Sequence, residues 1–187
     1  GLTINGRWVA NTEYSDANTR NLLLNKLPQL TQPLINTDIL LEKSIDWATK
    51  LDSSYLPIQG PPGAGKSYTG SHMIFDLIKK GKRIGITALS HKVIINLLEK
   101  VKQLADKETF NLNIIYKGSP TDDGDYPWDT AQNVDTIVAN LQNYHIIAGT
   151  SFMWCNEKLK DSLDYLFIDE AGQFALIDTL VVSHASK

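Results

Sequence analysis

The sequence is poor in cysteine, with Cys155 as the single example among 187 residues. One cysteine excludes an intramolecular disulfide, and it also excludes a zinc site built from several thiolates. The four histidines are scattered and lack the spacing of metal ligands. A chain without disulfides is typical of a reducing compartment, so we expect a cytoplasmic protein. We interpret Cys155 as a small buried apolar residue.

Long apolar runs and a strong charge are also missing. No apolar run is long enough to span a bilayer, so we expect no membrane partner. The N-terminus also lacks the basic segment followed by an apolar segment that is typical of a signal peptide. The net charge is −3, which gives no broad basic surface, and any nucleic acid would need a local groove. A hydrophobic content of 42% and a charged content of 21% indicate an ordinary globular domain.

The chain divides into two parts by composition. Residues 1–50 form a lead-in segment rich in Asn, Thr and Leu, in which we predict a helix over Ile39–Lys50. Residues 51–187 alternate between strand and helix patterns. This alternation predicts an α/β domain with a mostly parallel sheet covered by helices on both faces. The predicted strands are Tyr55–Gln59, Arg83–Ala88, Asn111–Tyr116, His145–Gly149 and Tyr165–Asp169. The predicted helices are Ser67–Lys80, His91–Leu104, Val134–Leu141 and Gln173–Ser183, with a polar loop over Gly118–Asp129.

A glycine-rich run between the first predicted strand and helix fits the phosphate-loop pattern G-x-x-x-x-G-K-[ST] at every fixed position. Its residues are Gly60, Pro61, Pro62, Gly63, Ala64, Gly65, Lys66 and Ser67. Glycines allow backbone N–H groups to converge on a phosphate, and the following helix adds its positive N-terminal end. Lys66 is expected to reach the β- and γ-phosphates of ATP, and Ser67 to bind Mg²⁺.

An apolar strand pattern ends in two carboxylates, Asp169 and Glu170. Beside a phosphate loop, such a strand end is the expected second acidic motif of an ATPase. Asp169 is predicted to hold Mg²⁺, and Glu170 to orient and deprotonate the attacking water. An adjacent glutamate favours hydrolysis over phosphoryl transfer to a second substrate, which argues against a small-molecule kinase. The predicted catalytic residues are therefore Glu170 and Lys66.

The run Gln59–Ser67 together with Asp169-Glu170-Ala171-Gly172-Gln173 resembles motifs I and II of the superfamily 1B, DEAxQ-type helicases. Residues 59–98 are similar to bacterial helicases that follow a RecB-like nuclease domain, as is the segment Arg20–Leu30. The resemblance implies a RecA-like P-loop NTPase fold, the first of two RecA-like motor domains, with ATP and Mg²⁺ as cofactors. It also implies nucleotide contacts from Tyr68 and Gln173.

The resemblance further implies partners. Single-stranded nucleic acid is expected, with DNA favoured over RNA, together with a second RecA-like domain and a RecB-like nuclease domain of the same protein. The run Thr87–Leu98 resembles motif Ia, and Ala148–Ser151 resembles a later motif that contacts the nucleic-acid backbone. On this basis Ser90, His91 and Thr150 are candidate phosphate contacts. Helix capping explains the two hydroxyls equally well, and a solvated histidine explains His91.

The sequence departs from the helicase pattern in two places. The stretch Leu41–Ala48 has no glutamine of the kind that reads adenine in these helicases, and motif III does not follow before Lys187. We therefore expect an incomplete motor, with weak nucleotide binding and very slow hydrolysis by this chain alone. Two alternatives stay open: an ATPase of another class, such as an AAA+ machine, and a nucleotide-binding interaction module without motor activity.

Overall fold

The structure, a computed structural model, describes residues 2–4, 7–9, 40–118 and 126–186. Two predictions lie wholly or mostly outside these residues: the segment Arg20–Leu30, and the polar loop predicted over Gly118–Asp129. Within the lead-in segment, β1 (Leu2–Ile4) and β2 (Arg7–Val9) pair antiparallel. The helix α1 spans Leu40–Lys50, close to its predicted bounds.

The remaining elements alternate between helix and strand, as the sequence predicts. The helices are α2 (Lys66–Lys79), α3 (His91–Lys107), α4 (Val134–Ala139), α5 (Ser151–Trp154) and α6 (Leu176–Ser183). The strands are β3 (Ile84–Thr87), β4 (Ile114–Lys117), β5 (Asp129–Ala131), β6 (Ile146–Gly149) and β7 (Tyr165–Ile168). These five strands form one sheet in the order β5-β4-β6-β3-β7, and every pairing in it is parallel.

Alternation along the strands produces two separate cores, one on each face of the sheet. Ile84, Ile86 and Ile146 belong to the first core, which α1, α2 and α3 cover. Ile115 and Ile147 belong to the second core, where side chains from α4, α5 and α6 cover them. The structure therefore confirms the predicted α/β fold with a parallel sheet and helices on both faces, consistent with a RecA-like domain.

The connection between α2 and β3 decides where the phosphate loop lies. After Lys79 the chain turns through Gly81, whose φ of 75° is in the left-handed region, and enters β3 at Ile84. This short connection makes α2 run opposite to β3. The start of α2 at Lys66 therefore lies at the edge of the sheet where the parallel strands end.

The predicted strand Tyr55–Gln59 is wrong. Residues 54–60 are described without a strand, and Ile58 is 41% exposed. Pro57 interrupts this segment, and because proline has no N–H it cannot donate to a ladder. Leu56 still packs against the first core, so the apolar pattern correctly indicates partial burial but not pairing.

Two further boundaries differ from prediction. Asp129, predicted as the last residue of a loop, begins the edge strand β5, and two of the three residues of this strand are exposed. A short polar edge strand carries no apolar signal in the sequence. The final helix begins at Leu176 rather than Gln173, because Ala171–Gln173 form a separate 3₁₀ turn that ends at the extended residue Phe174.

Candidate active site

The phosphate loop has the backbone geometry that its glycines permit. Gly63 has φ of 78° and Gly65 has φ of 85°, both in the left-handed region that side chains disfavour. A Cβ added at either glycine would meet no atom of the described residues within 4 Å, so it is the backbone conformation and not lack of space that favours glycine there. Gly65 is the residue before α2, and Thr69 N–H already donates to its carbonyl at 2.9 Å. The loop therefore offers the open N-terminal end of a 14-residue helix, an arrangement that fits phosphate.

Lys66 lies within its own loop. Its Nζ donates to the carbonyl of Gly60 at 2.7 Å and to the carbonyl of Pro61 at 3.0 Å. These bonds hold the ammonium group at the mouth of the turn. A phosphate oxygen would replace neutral carbonyl acceptors by a charged one, which forms a stronger hydrogen bond.

The two residues after Lys66 differ in exposure. Ser67 is partly buried in the first turn of α2, whereas Tyr68 is 57% exposed. The Tyr68 ring lies 4.2 Å from the His72 ring, measured between centroids, one helical turn further on. The Tyr68 ring therefore contacts the His72 ring and is otherwise largely exposed to solvent beside the phosphate loop.

The acidic pair follows β7 in a strained turn. Glu170 has φ of 52°, and left-handed backbone in a non-glycine residue is uncommon and concentrates at functional sites. Two hydrogen bonds fix the turn: Asp169 N–H donates to the Thr87 carbonyl at 2.9 Å, and Glu170 N–H donates to Asp169 Oδ1 at 2.9 Å. Gln173 Nε2 donates to Glu170 Oε2 at 2.8 Å. The amide of Gln173 therefore orients the carboxylate of Glu170.

Topology brings the phosphate loop and the acidic pair to one edge of the sheet. Asp169 follows β7, and Lys66 begins the helix that leads back into β3, the neighbour of β7. The described residues hold no group of three or more His, Cys, Asp or Glu side chains arranged for a metal ion. The two predicted ligands, Ser67 and Asp169, would supply only two oxygens, which suits Mg²⁺, an ion that usually takes its other ligands from phosphates and water.

Apart from the phosphate loop and the acidic pair, a cavity of about 410 Å³ opens at the same edge of the sheet. We call it the edge cavity, and its walls are His91, Lys117, Gly118, Gln132 and Thr150. It joins two of the three predicted nucleic-acid contacts, His91 and Thr150. Lys117 and Gln132 were missed by sequence reasoning, and for Lys117 a usable signal existed because it ends a buried strand. The cavity combines a cation, an amide and a hydroxyl, all groups that bind phosphate oxygens.

The three predicted nucleic-acid contacts differ in their present bonding. Ser90 caps α3, since its Oγ accepts from Val93 N–H at 3.3 Å. Thr150 precedes α5 without a side-chain capping bond. His91 Nδ1 forms a hydrogen bond with the Tyr116 hydroxyl. Burial, together with the neighbouring Tyr126, raises the pKa of Tyr116 to about 12, so Tyr116 stays a neutral partner for His91.

Other sequence predictions have mixed outcomes. Trp154, a candidate for base stacking or for packing, is fully buried in the second core, and its Nε1 donates to the Gly149 carbonyl at 3.2 Å. Trp128 stacks on Tyr126 with the two rings 6° from parallel. The interpretation of Cys155 as buried is wrong, because it follows the single turn of α5 and is exposed. Partial desolvation, and then the charge of Asp178, still raises the pKa of its thiol. Within the described part of the chain, no helix combines the length and apolar character needed to cross a bilayer.

Comparison with known proteins identifies a family and two relatives that this chain resembles in sequence. Residues 27–176 match the model of a protein family described as "Type III restriction enzyme, res subunit". The chain is 24% identical over 169 residues to the DNA replication ATP-dependent helicase/nuclease of Saccharomyces cerevisiae, a match that covers 88% of this chain and 11% of that protein. It is 26% identical over 127 residues to reverse gyrase of Methanocaldococcus jannaschii, covering 66% of this chain and 7% of that one. The chain thus spans about a tenth of the length of these relatives.

Proposed function

Because the chain belongs to the family of the type III restriction enzyme res subunit, and with it to the helicase superfamily, we propose that it is the ATP-binding motor domain of a nucleic-acid helicase. In the whole protein it would couple Mg·ATP hydrolysis to movement along single-stranded nucleic acid. DNA is favoured over RNA, since one of the two relatives is named as a DNA replication helicase/nuclease. The observation that carries the proposal is the shared sheet edge of the phosphate loop and the acidic pair.

Each residue of the site has a role in this proposal. The backbone of residues 60–65 and the start of α2 hold the phosphates, and Lys66 Nζ leaves its loop carbonyls to neutralise the β- and γ-phosphate charge. Ser67 and Asp169 would hold Mg²⁺, which would supply positive charge to neutralise the phosphates. Glu170, oriented by Gln173, accepts the proton of the attacking water. Tyr68 supplies an exposed aromatic surface to the nucleotide.

Nucleic acid is assigned to the edge cavity. Its phosphates would lie against His91, Lys117 and Thr150, beyond the carboxyl ends of β4 and β6, where ligands of open α/β sheets bind. Ser90 contributes through the helix N-terminus that it caps. We further propose that the chain is the 1A domain, residues 51–187, of a DEAxQ-type superfamily 1B helicase. A second RecA-like domain and a RecB-like nuclease domain would belong to the same protein.

The rate of ATP hydrolysis by the whole protein, measured with and without single-stranded DNA, tests this function. Strong stimulation is the expected result, because a motor couples hydrolysis to its track. Hydrolysis that does not respond to single-stranded DNA or RNA would favour a P-loop ATPase of another class. Nucleotide binding without any hydrolysis would favour an interaction module. For the 187-residue chain alone we expect weak nucleotide binding and slow turnover, measurable by calorimetry and phosphate release.

A further inference from the structure

Tyr116 and His91 form a hydrogen-bonded pair at the wall of the edge cavity. Tyr116 lies in β4 and is 2% exposed, with its ring in the first core. His91 begins α3, is exposed and lines the cavity. The Tyr116 hydroxyl is bonded to His91 Nδ1, and the two rings meet edge to face with centroids 5.7 Å apart. A buried phenol is thus joined to an imidazole that a ligand can reach.

Neighbouring residues restrict the position of the Tyr116 hydroxyl. A Cβ added at Gly118, another residue of the cavity wall, would overlap the hydroxyl end of the Tyr116 ring, so only glycine leaves room for that ring here. The ring of Tyr126 packs edge to face with Tyr116 at 5.9 Å between centroids. The phenol therefore has little freedom to turn its hydroxyl away from His91.

The direction of the hydrogen bond follows from burial. His91 is the one hydrogen-bond partner of the Tyr116 hydroxyl among the described residues. A buried O–H without an acceptor is costly, so the hydroxyl donates and Nδ1 of His91 accepts. Desolvation, and then Tyr126, raises the pKa of Tyr116 to about 12, which keeps this proton on the phenol. In a neutral imidazole whose Nδ1 accepts, the ring proton lies on Nε2.

This tautomer of His91 suits an anionic ligand. Because Nδ1 is bonded to a buried residue while His91 itself is exposed, the exposed edge of the ring carries Nε2. An Nε2–H donates to a phosphate oxygen, whereas the opposite tautomer would present a lone pair to it. Lys117 and Thr150 add two further donors to the same cavity.

We propose that Tyr116 is a positioning residue for nucleic acid and that it acts through His91. Its hydroxyl holds His91 in the tautomer whose Nε2–H donates to a phosphate oxygen of single-stranded DNA in the edge cavity. This rests on the proposed function, since the nucleic acid must enter that cavity. Tyr116 itself lies in the core and does not touch the DNA.

Nuclear magnetic resonance of the 187-residue chain is the first test. At about pH 8.5, above the range in which histidine usually carries a second ring proton, proton–nitrogen correlation spectra show which ring nitrogen is protonated. The chain has four histidines, and the signals lost in His91→Ala are those of His91. We expect a proton on Nε2 and none on Nδ1, and a shift of the Nε2 signal when an oligothymidylate binds. A proton on Nδ1, or no shift at saturation with bound DNA, would overturn the inference.

The second test asks whether Tyr116 acts through His91. Fluorescence anisotropy with a labelled oligothymidylate measures affinity. We expect His91→Ala to weaken binding about fivefold and Tyr116→Phe about threefold, as for loss of a neutral hydrogen bond. In the His91→Ala background, Tyr116→Phe should cause no further loss, because the two residues act as one unit. Unchanged affinity in Tyr116→Phe, or the same loss in both backgrounds, would overturn the positioning role.

Tyr144→Phe is the matched control for Tyr116→Phe. It also removes a tyrosine hydroxyl that donates to a side chain, here to Asp129 Oδ2 at 2.8 Å, but Tyr144 does not line the edge cavity. The His91 tautomer and the affinity for the oligothymidylate should both stay unchanged. A threefold loss here as well would show that removing any such hydroxyl weakens binding, and it would overturn the specific role of Tyr116.

The outcomes separate this inference from the proposed function. Failure of the unsubstituted chain to bind the oligothymidylate, with a normal melting transition and the expected His91 tautomer, would overturn the assignment of nucleic acid to the cavity. A proton on Nδ1 in a chain that does bind would overturn the role of Tyr116 alone. If Tyr116→Phe does not fold, the spectra of the unsubstituted chain with and without DNA still decide the inference.

Discussion

The phosphate loop and the edge cavity lie at the same edge of one sheet, yet they are built in opposite ways. The phosphate loop is one unbroken run, residues 60–67, whose lysine bonds to carbonyls of the same run. The edge cavity gathers its residues from the start of α3 and the ends of β4, β5 and β6. The geometry of a contiguous site depends on the local backbone, whereas the geometry of a site assembled from several strands depends on strand order. A substitution in one site should therefore reduce binding at that site and leave binding at the other unchanged.

The largest effect is expected at Lys66. Lys66→Ala removes the ammonium group that is proposed to bind the β- and γ-phosphates, and a hydrogen bond to a charged group contributes about 1.5–3 kcal/mol, or roughly 10- to 100-fold in affinity. Calorimetry with Mg·ATP checks this loss. Binding of single-stranded DNA at the edge cavity should not change.

Lys79→Ala is the matched control for Lys66. Lys79 ends the same helix at the opposite edge of the sheet, and its Nζ pairs with Glu108 at 3.1 Å. This substitution should leave ATP affinity unchanged. Equal affinities for the Lys66→Ala variant and the unsubstituted chain would contradict the assignment of the phosphate loop.

Glu170→Gln should separate hydrolysis from binding. The amide cannot accept the proton of water, so hydrolysis by the whole protein should fall about 10²- to 10⁴-fold, while ATP affinity stays within a few-fold. Phosphate release at saturating ATP measures the first quantity and calorimetry the second. Glu157→Gln, at an exposed 3₁₀ turn, is the control. If Glu170→Gln reduced ATP affinity and hydrolysis to the same extent, Glu170 would act mainly by stabilising the turn after β7 and not as the proton acceptor.

The two sites also differ in how far the sequence predicts them. The alternation of strands and helices along the chain was enough to predict the fold, because strands that are buried on both faces need helices on both faces. Ile84 and Ile115 accordingly lie in two different cores, one on each face of the sheet. The phosphate-loop residues were readable because they are consecutive. Lys117 was overlooked although it ends a buried strand, whereas Gln132 could not be predicted, since its place depends on β5 pairing with β4, and β5 is too short and polar to be predicted. The hydrogen bond from Gln173 to Glu170 could not be predicted either. It depends on the left-handed backbone of Glu170, and no residue type in this turn indicates that conformation.

Lys117→Ala is expected to have a smaller effect, on nucleic acid alone. Loss of one phosphate contact should weaken single-stranded DNA binding several-fold at low salt and reduce the slope of log K against log [salt] by about 0.7. Fluorescence anisotropy across a salt series measures both. Lys102→Ala is the control, because Lys102 lies in the second half of α3 and pairs with Asp106. An unchanged salt slope in Lys117→Ala would remove Lys117 from the nucleic-acid site.

The smallest effect concerns His145, outside both sites. Burial lowers its pKa below the usual 6.5, and its neutral Nδ1 accepts from Asn113 N–H at 3.0 Å. Between the folded pKa and about 6.5 the unfolded chain binds more protons than the folded one, so stability falls as pH drops through this window. The thermal midpoint of the unsubstituted chain should decline from pH 7.5 to 5. His145→Gln should have a shallower decline, and an identical one would place the pH sensitivity in other groups.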